Sequence, residues 1–343
     1  MKYLITGGAG FIGKSLIMKL LENPDNIIFN IDKLNYSSSI EPINTFSLKL
    51  KNNNHKFFKI DLANKEEINK VIQVCNPDII FHLAAESHVD RSIISPNDFI
   101  QSNILGTFNL LEASLKHYKK LNSIRKKQFK FLHISTDEVF GSLDNNGSFC
   151  ENSSYDPRSP YSASKASSDH LVKAWFHTFD LPIIISNCSN NFGPWQYPEK
   201  FIPKIILNAI KNKKIPIYGN GSNIRDWLFV EDHINALLLL SKEGRIGESY
   251  CIGGNGEKTN NQVVMQICAI LDKKFPDQIP HRRLIEYVKD RPGHDYRYSI
   301  NFDKIRRAHG WEPKYNFSEG ITKTIDWYIS NLGWVEKLNM QND

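Results

Sequence analysis

Thr6-Gly7-Gly8-Ala9-Gly10-Phe11-Ile12-Gly13 joins a short apolar run, Tyr3 to Thr6, to a stretch from Phe11 to Leu21 whose apolar residues recur at helical spacing. Gly8, Gly10 and Gly13 satisfy G-x-G-x-x-G, while Gly7, Gly10 and Gly13 satisfy G-x-x-G-x-x-G. Between a strand and a helix, such a turn lets backbone N–H groups and the helix N-terminus approach a pyrophosphate. The next apolar run, Ile27 to Ile31, ends at Asp32. A carboxylate there accepts hydrogen bonds from adenosine ribose hydroxyls and repels a 2′-phosphate, which favours NAD over NADP.

Working outward, the first half keeps the same rhythm. Apolar runs at 57–60, 78–83, 129–134 and 182–186 read as further strands, separated by helical stretches at 65–74, 96–118 and 161–179. Repeated β-α units predict an α/β fold with a Rossmann-like, doubly wound parallel sheet. After Asn187 the rhythm breaks into Pro- and Gly-rich segments with helices near 201–211, 232–240, 261–271 and 318–331. The expected division is an NAD-binding domain over 1–190 and a smaller α/β substrate lobe over 191–343, with the chain returning to the first domain near 227–240.

The chain has 343 residues, 41% hydrophobic and 23% charged, which excludes a disordered, collagen-like or small disulfide-stapled protein. No apolar run reaches the roughly 18 residues of a membrane span, and no signal peptide precedes Gly7, so the expected location is the cytoplasm. Cys75, Cys150, Cys188, Cys251 and Cys268 form no Cys-x-x-Cys pair and read as reduced thiols, not as metal ligands. The net charge of +6 is partly concentrated between Lys116 and Lys130. Without interleaved aromatic residues, that stretch reads as a solvated helix end and loop, so neither nucleic acid nor membrane is an expected partner. A mild positive excess suits a polyanionic small substrate.

Tyr161-Ser-Ala-Ser-Lys165 sets a phenol and an ammonium one helical turn apart, where the cation favours the phenolate and makes Tyr161 a base towards an alcohol. Thr136-Asp137-Glu138 follows the fifth strand. Thr136 is placed to hydrogen-bond the reacting hydroxyl, and two adjacent carboxylates at a strand end need partners if they are to be desolvated. Asp61 and Leu83-Ala84-Ala85-Glu86-Ser87 also lie at strand C-termini, where ligands of such sheets collect.

With these motifs, the chain resembles the extended short-chain dehydrogenase/reductases. Among them it resembles the nucleotide-sugar 4,6-dehydratases, most closely those acting on dTDP-glucose. The likeness runs from Met1 to about Ser330. It also rests on Ala84 to Ser92, Ser189-Asn-Asn191, Pro198-Glu-Lys200, Arg225-Asp-Trp227, Glu231-Asp-His233 and Asp290-Arg-Pro-Gly-His294. The resemblance implies dehydration of dTDP-glucose to the 4-keto-6-deoxy sugar, with NAD recycled in each turnover. Tyr161, assisted by Thr136 and Lys165, takes the C4 hydroxyl proton; Glu138 removes the C5 proton; Asp137 protonates the departing C6 hydroxyl.

The resemblance further implies that Gly7, Gly10, Phe11, Ile12 and Gly13 hold NAD, together with Asp32, Lys33, Leu34 and Asn35. Asp61, Leu62, Leu83 to Ser87 (including Ala84, Ala85 and Glu86), Ser102, Tyr161, Lys165 and Asn191 complete the cofactor set. Ser87, Thr136, Asn190, Lys200 and Phe201 would hold the sugar nucleotide, with Pro216, Ile217 and Tyr218. Arg225, Asn260 and Asp290, Arg291, Pro292, Gly293 and His294 would join them, the two arginines as diphosphate ligands. A homodimer built from helices 96–120 and 161–179 is implied as well. Phe140, Phe192 and Phe229 stand where Tyr is common, Asn187 where Arg is usual, and Ser37-Ser38-Ser39 replaces a small-residue turn. The alternatives are a UDP-glucose 4,6-dehydratase, a sugar-nucleotide 4-epimerase or decarboxylase, and a non-catalytic NAD-binding protein.

Overall fold

The computed structural model describes residues 1–278 and 280–340. Its strands are β1 (Lys2–Thr6), β2 (Ile27–Asp32), β3 (His55–Lys59), β4 (Ile79–His82), β5 (Lys130–Thr136) and β6 (Ile183–Cys188), then β7 (Asn190–Phe192), β8 (Ile215–Tyr218), β9 (Ile224–Phe229), β10 (Ser249–Ile252), β11 (Glu257–Thr259) and β12 (Ile285–Val288). Seven of them form one sheet in the order β10-β6-β5-β4-β1-β2-β3. Every pairing within it is parallel. The expected doubly wound sheet is therefore present, with its direction of winding reversing between β1 and β4. That reversal opens a crevice at the strand C-termini.

Inward of the edge strand β3, the strands are buried on both sides, and alternate residues feed two cores. Ile5, Phe81, Leu132 and Ile184 pack on one face against Leu16, Leu20 and Leu237. Leu4, Ile80, Phe131 and Ile183 pack on the other against Leu110, Leu111 and Val172. The two-residue period of the strands thus shows why runs that look uniformly apolar still divide cleanly between layers.

Three boundaries differ from the sequence expectation. Residues 96–120 are not one continuous α-helix: Pro96–Phe99 leads into a π-helical segment, Ile100–Leu105, before Gly106–Lys120 resumes α-helix. Buried Asn103 occupies the wide turn, donating to the Glu86 carbonyl and to Ser164 Oγ while accepting from the Glu86 N–H. Second, the return of the chain to the large sheet extends past 240. Val230–Glu243 packs beside Phe11–Leu21, β10 becomes the edge of the large sheet, and Ile305 and Trp311 enter its core. Third, the basic stretch folds as a short helix, Ser123–Gln128, capped by Asn122. Arg125 there is tied to Asp78, Asn76 and Pro77.

The smaller lobe has its own core around Ile205, Ile217, Trp227, Val264 and Ile321. A three-stranded sheet, β11-β9-β7, and a two-stranded sheet, β12-β8, carry it. These short strands are separated widely in sequence, and none shows enough periodicity to be read alone. Phe192 and Phe229 lie inside this lobe in an aromatic cluster with Trp227 and Phe317, and Phe140 stacks on Phe149 beneath the large sheet. No described helix is long and apolar enough to cross a membrane.

Candidate active site

A cleft of about 320 Å³ lies at the C-terminal ends of the central strands, with residues of 7–13, 31–38, 60–62, 83–87, 134–138 and 188–200 on its walls. One wall is the glycine-rich turn. Gly7 has φ +72°, and a Cβ there would stand 2.6 Å from the Ala84 nitrogen. A Cβ at Gly13 would stand 2.3 Å from the Gly7 carbonyl, so the turn closes onto its own helix only without side chains. Asp32, nearly buried, accepts from the N–H groups of Ala9 and Leu34 at 3.1 and 2.8 Å. Lys33 reaches Glu86 at 2.7 Å and Ser102 at 2.7 Å, which ties the loop after β2 to the loop after β4. Of the cofactor positions expected from sequence, Leu34 alone is not on the cleft wall; it turns the chain with φ 57°.

The opposite wall carries the residues expected to do the chemistry. Thr136 ends β5 and caps the 3-10 turn Asp137–Phe140, accepting from the Glu138 N–H at 3.3 Å. Its hydroxyl also favours the ionised form of the Tyr161 phenol. Ser159 begins the Pro160–Phe179 helix with a capping box and Pro160 at its first position, so Tyr161 and Lys165 fall on the inward face. Lys165 donates to the Ile134 carbonyl at 2.9 Å. Burial and the Glu138 carboxylate push the Tyr161 phenol up, Thr136 opposing them. The lowering expected from Lys165 alone is outweighed here by desolvation.

The two carboxylates are adjacent but live in different surroundings. Asp137 is 1% exposed, its Oδ2 without a hydrogen-bond partner. Burial, Glu138 and Asp226 hold its carboxyl well above the usual range. Glu138 is half-buried. Burial raises it too, but Arg291, Arg225 and Lys200 all favour its ionised form. A carboxyl kept protonated and a carboxylate facing three cations form an acid and a base in one cleft.

The expected substrate residues divide. Ser87, Thr136, Asn190 and Lys200 line the cleft, and Lys200 donates to the Ser87 carbonyl at 2.9 Å. Phe201, Pro216, Ile217, Tyr218, Arg225, Asn260 and the 290–294 segment are not on its wall. Ile217 is buried in the lobe core, because it points to the packed face of β8. Phe201 stacks on Trp227. Arg225 is engaged by the carbonyls of Ile224, Asp295 and Tyr296, with its guanidinium over the Tyr298 ring. Arg291 lies 3.6 Å from Asp90, and His294 lies 2.6 Å from Asp290.

Sequence reasoning missed Tyr36, Cys188, Ser189, Gln196 and Tyr197, which line the cleft. All but Tyr36 flank Asn190-Asn191 or Lys200, so closeness to those motifs was the available signal. Asn103, which fixes the loop carrying Glu86, had none, since its π-helical turn leaves no trace in apolar spacing.

The model of the family described as GDP-mannose 4,6 dehydratase matches residues 4–324. The chain belongs to this family. A dTDP-glucose 4,6-dehydratase of Shigella flexneri is 49% identical over 347 residues, 98% of this chain and 95% of that one. A solved dTDP-glucose 4,6-dehydratase of Bacillus anthracis, in complex with NAD, is 41% identical, with a TM-score of 0.87 and coverage of 98% and 99%. One of Streptomyces venezuelae, with NAD bound, is 35% identical, with a TM-score of 0.88 and coverage of 98% and 100%.

Within this family the fold is Rossmann-like and the cofactor NAD. The residues here fit it: the glycine cradle has no room for Cβ atoms, and Asp32 sits at the end of β2 facing the cleft. The departures noted in sequence are absorbed locally. Asn187 donates to Asp169 and to the Thr136 carbonyl, and the Ser39 N–H donates to the Ala9 carbonyl beside the glycine turn.

Proposed function

We propose that this protein converts dTDP-glucose to dTDP-4-keto-6-deoxyglucose by removing water across C5 and C6. The observation that carries this reading is the split between Asp137 and Glu138, held in one cleft with Thr136 and Tyr161. When bound, NAD supplies the acceptor and donor of hydride. Gly7 to Gly13, Asp32 to Asn35, Asp61, Leu62, the 83–87 loop, Ser102 and Asn191 would hold it. Tyr161 takes the proton of the C4 hydroxyl, with Thr136 beside it to hydrogen-bond the reacting hydroxyl and Lys165 favouring the phenolate. The ketone formed at C4 acidifies C5–H, and Glu138 takes that proton. Asp137, already protonated, gives its proton to the C6 hydroxyl as it leaves as water; the hydride held by the cofactor would then reduce C6, and protonated Glu138 would return a proton to C5, giving the 4-keto-6-deoxy sugar. Asp137 and Glu138 distinguish this reading from a 4-epimerase, whose reaction has no elimination step and needs neither.

The substrate is read as a thymidine nucleotide from the relatives, the two pyrimidines differing by one methyl worth about 1 kcal/mol of burial. Arg225 and Arg291 carry the charge for its diphosphate. A homodimer is supported by exposed Ile94, Ile100 and Leu105 beside the Gly106–Lys120 helix. The cytoplasm is supported by five free cysteines. Mass spectrometry of the product tests the reaction: loss of one water from dTDP-glucose supports it, and a product of unchanged mass contradicts it.

A further inference from the structure

The proposed reaction leaves Glu231-Asp232-His233 without a role. These residues open the Val230–Glu243 helix directly after β9. Asp232 accepts from the Tyr315 N–H at 3.0 Å, which ties the start of the helix to the smaller lobe. His233 is fully buried, and its Nδ1 lies 2.9 Å from Oδ1 of Asn191. Asn191 stands on β7, beside β9, and lines the cleft.

A count of donors and acceptors fixes the chemistry of this contact. The amide nitrogen of Asn191 donates to the Ser189 carbonyl at 3.0 Å and to Cys188 Sγ at 3.4 Å, so both its hydrogens are used. The reverse orientation would press Oδ1 against that carbonyl oxygen. Oδ1 therefore faces His233, and the group that meets it there must donate. Burial pushes the imidazole down to about 3, so the ring is neutral near pH 7 and carries a single N–H. That hydrogen belongs on Nδ1. Nε2 is buried without a hydrogen-bond partner among the described residues, and an orphaned N–H there would add a desolvation penalty. One lone pair of Oδ1 is left over, so Asn191 has one acceptor to offer the cleft. NAD carries matching donors in its carboxamide and its ribose hydroxyls. The backbone of Asn191 is held separately, by the pairing of β7 with β9 and by Gln196 Nε2, which donates to its carbonyl at 2.9 Å. What His233 adds is the orientation of the side chain.

The geometry points to His233 as a positioning residue for the cofactor, its Nδ1–H holding the Asn191 amide in the orientation that leaves an acceptor for NAD. This rests on the placement of Asn191 among the residues that hold NAD. Two substitutions separate the donor from the space it fills: Asn carries an amide nitrogen where His carries Nδ1, and Gln carries it where His carries Nε2. In calorimetric titration with NAD, His233→Gln should weaken binding about tenfold, the scale of one hydrogen bond, and His233→Asn should stay within about threefold of the parent. Equal losses in both, or a greater loss in the smaller Asn, would make His233 a packing residue and overturn the inference. Asn191→Ala should weaken binding as His233→Gln does, with no further loss when the two are combined. Unchanged binding in Asn191→Ala would overturn the placement of Asn191 and the inference with it; a further loss in the combined variant would overturn the inference alone. The parent protein gives a result even if no variant folds. In long-range ¹H–¹⁵N NMR of the NAD-loaded protein, His233 should be the Nδ1–H tautomer across the neutral range, and a ring protonated on Nε2 would overturn the inference. None of these readouts involves turnover, so failure here is separable from failure of the proposed function.

Discussion

The two sides of the cleft are built on different principles. The cofactor side is made of backbone: glycines that admit no Cβ, N–H groups at a helix start, and a buried Asp32 fixed by Ala9 and Leu34. The side expected to meet the substrate relies on long charged side chains, Lys200 on the wall and Arg225 and Arg291 off it, that are already engaged with other partners. Arg291 faces Asp90, Lys200 holds the Ser87 carbonyl, and Arg225 is wrapped in carbonyls over Tyr298. A preformed backbone cradle needs no rearrangement to bind, which suits a resident cofactor. A side that must exchange contacts on binding suits a ligand that enters and leaves in every turnover.

The largest effect should come from breaking the cradle. Gly13→Ala places a Cβ 2.3 Å from the Gly7 carbonyl, with only backbone to give way. NAD affinity should fall by about a hundredfold or more, equivalent to about 2.7 kcal/mol, and the purified protein should carry no nucleotide by release and absorbance. Full retention of NAD would mean that the turn is more pliable than its contacts imply.

A middle effect should appear on the other side. Phe192→Tyr adds a hydroxyl inside the aromatic cluster of the smaller lobe, where Phe192 is 1% exposed. An unsatisfied buried hydroxyl costs about 1–3 kcal/mol, so Tm should drop by several degrees while NAD content stays unchanged. Loss of NAD from this variant would contradict the separation of the two sides. The smallest effect is expected from Asp90→Asn, which releases Arg291 from a partly exposed pair. KM for the nucleotide sugar should fall roughly two- to fivefold with kcat unchanged, the scale of such a pair. A raised KM would mean that Asp90 itself binds substrate.

The same contrast explains what the sequence made legible. The cradle is encoded by contiguous residues: Gly7 to Gly13 and Asp32 belong to one β-α-β unit, and their spacing alone located both the turn and the cleft. Tyr161 and Lys165 were legible for the same reason, being one turn apart on one helix. The smaller lobe depends on pairings such as β12 with β8 and β11 with β9, between strands of three to six residues. Their register is set by tertiary contacts, and nothing local marks it. The return of β10 to the large sheet was hidden likewise, because Ser249–Ile252 is too short to show a period. Resemblance named Arg225 and Ile217 as substrate residues, but it carries no information on which direction a side chain faces. Ile217 turned out to lie in a core. The charge balance around Tyr161 was also out of reach, since it depends on burial contributed by distant elements.

The central claim is that Asp137 is the acid and Glu138 the base, and their pH dependences should have opposite signs. Glu138 must be ionised to act and is raised, so activity should fall as pH drops through its pKa, above the ordinary carboxylate range. Asp137 must be protonated and is raised further, so activity should fall as pH rises through its own. The most direct measurement is exchange of the C5 hydrogen of the nucleotide sugar with deuterated water in the two isosteric variants. Glu138→Gln should lose exchange and dehydration together, by about 10² to 10⁴, while oxidation at C4 still gives the reduced-nicotinamide absorbance. Asp137→Asn should retain exchange and lose dehydration. Near-normal dehydration in Glu138→Gln, or the same loss of exchange in both variants, would contradict the assignment of separate roles.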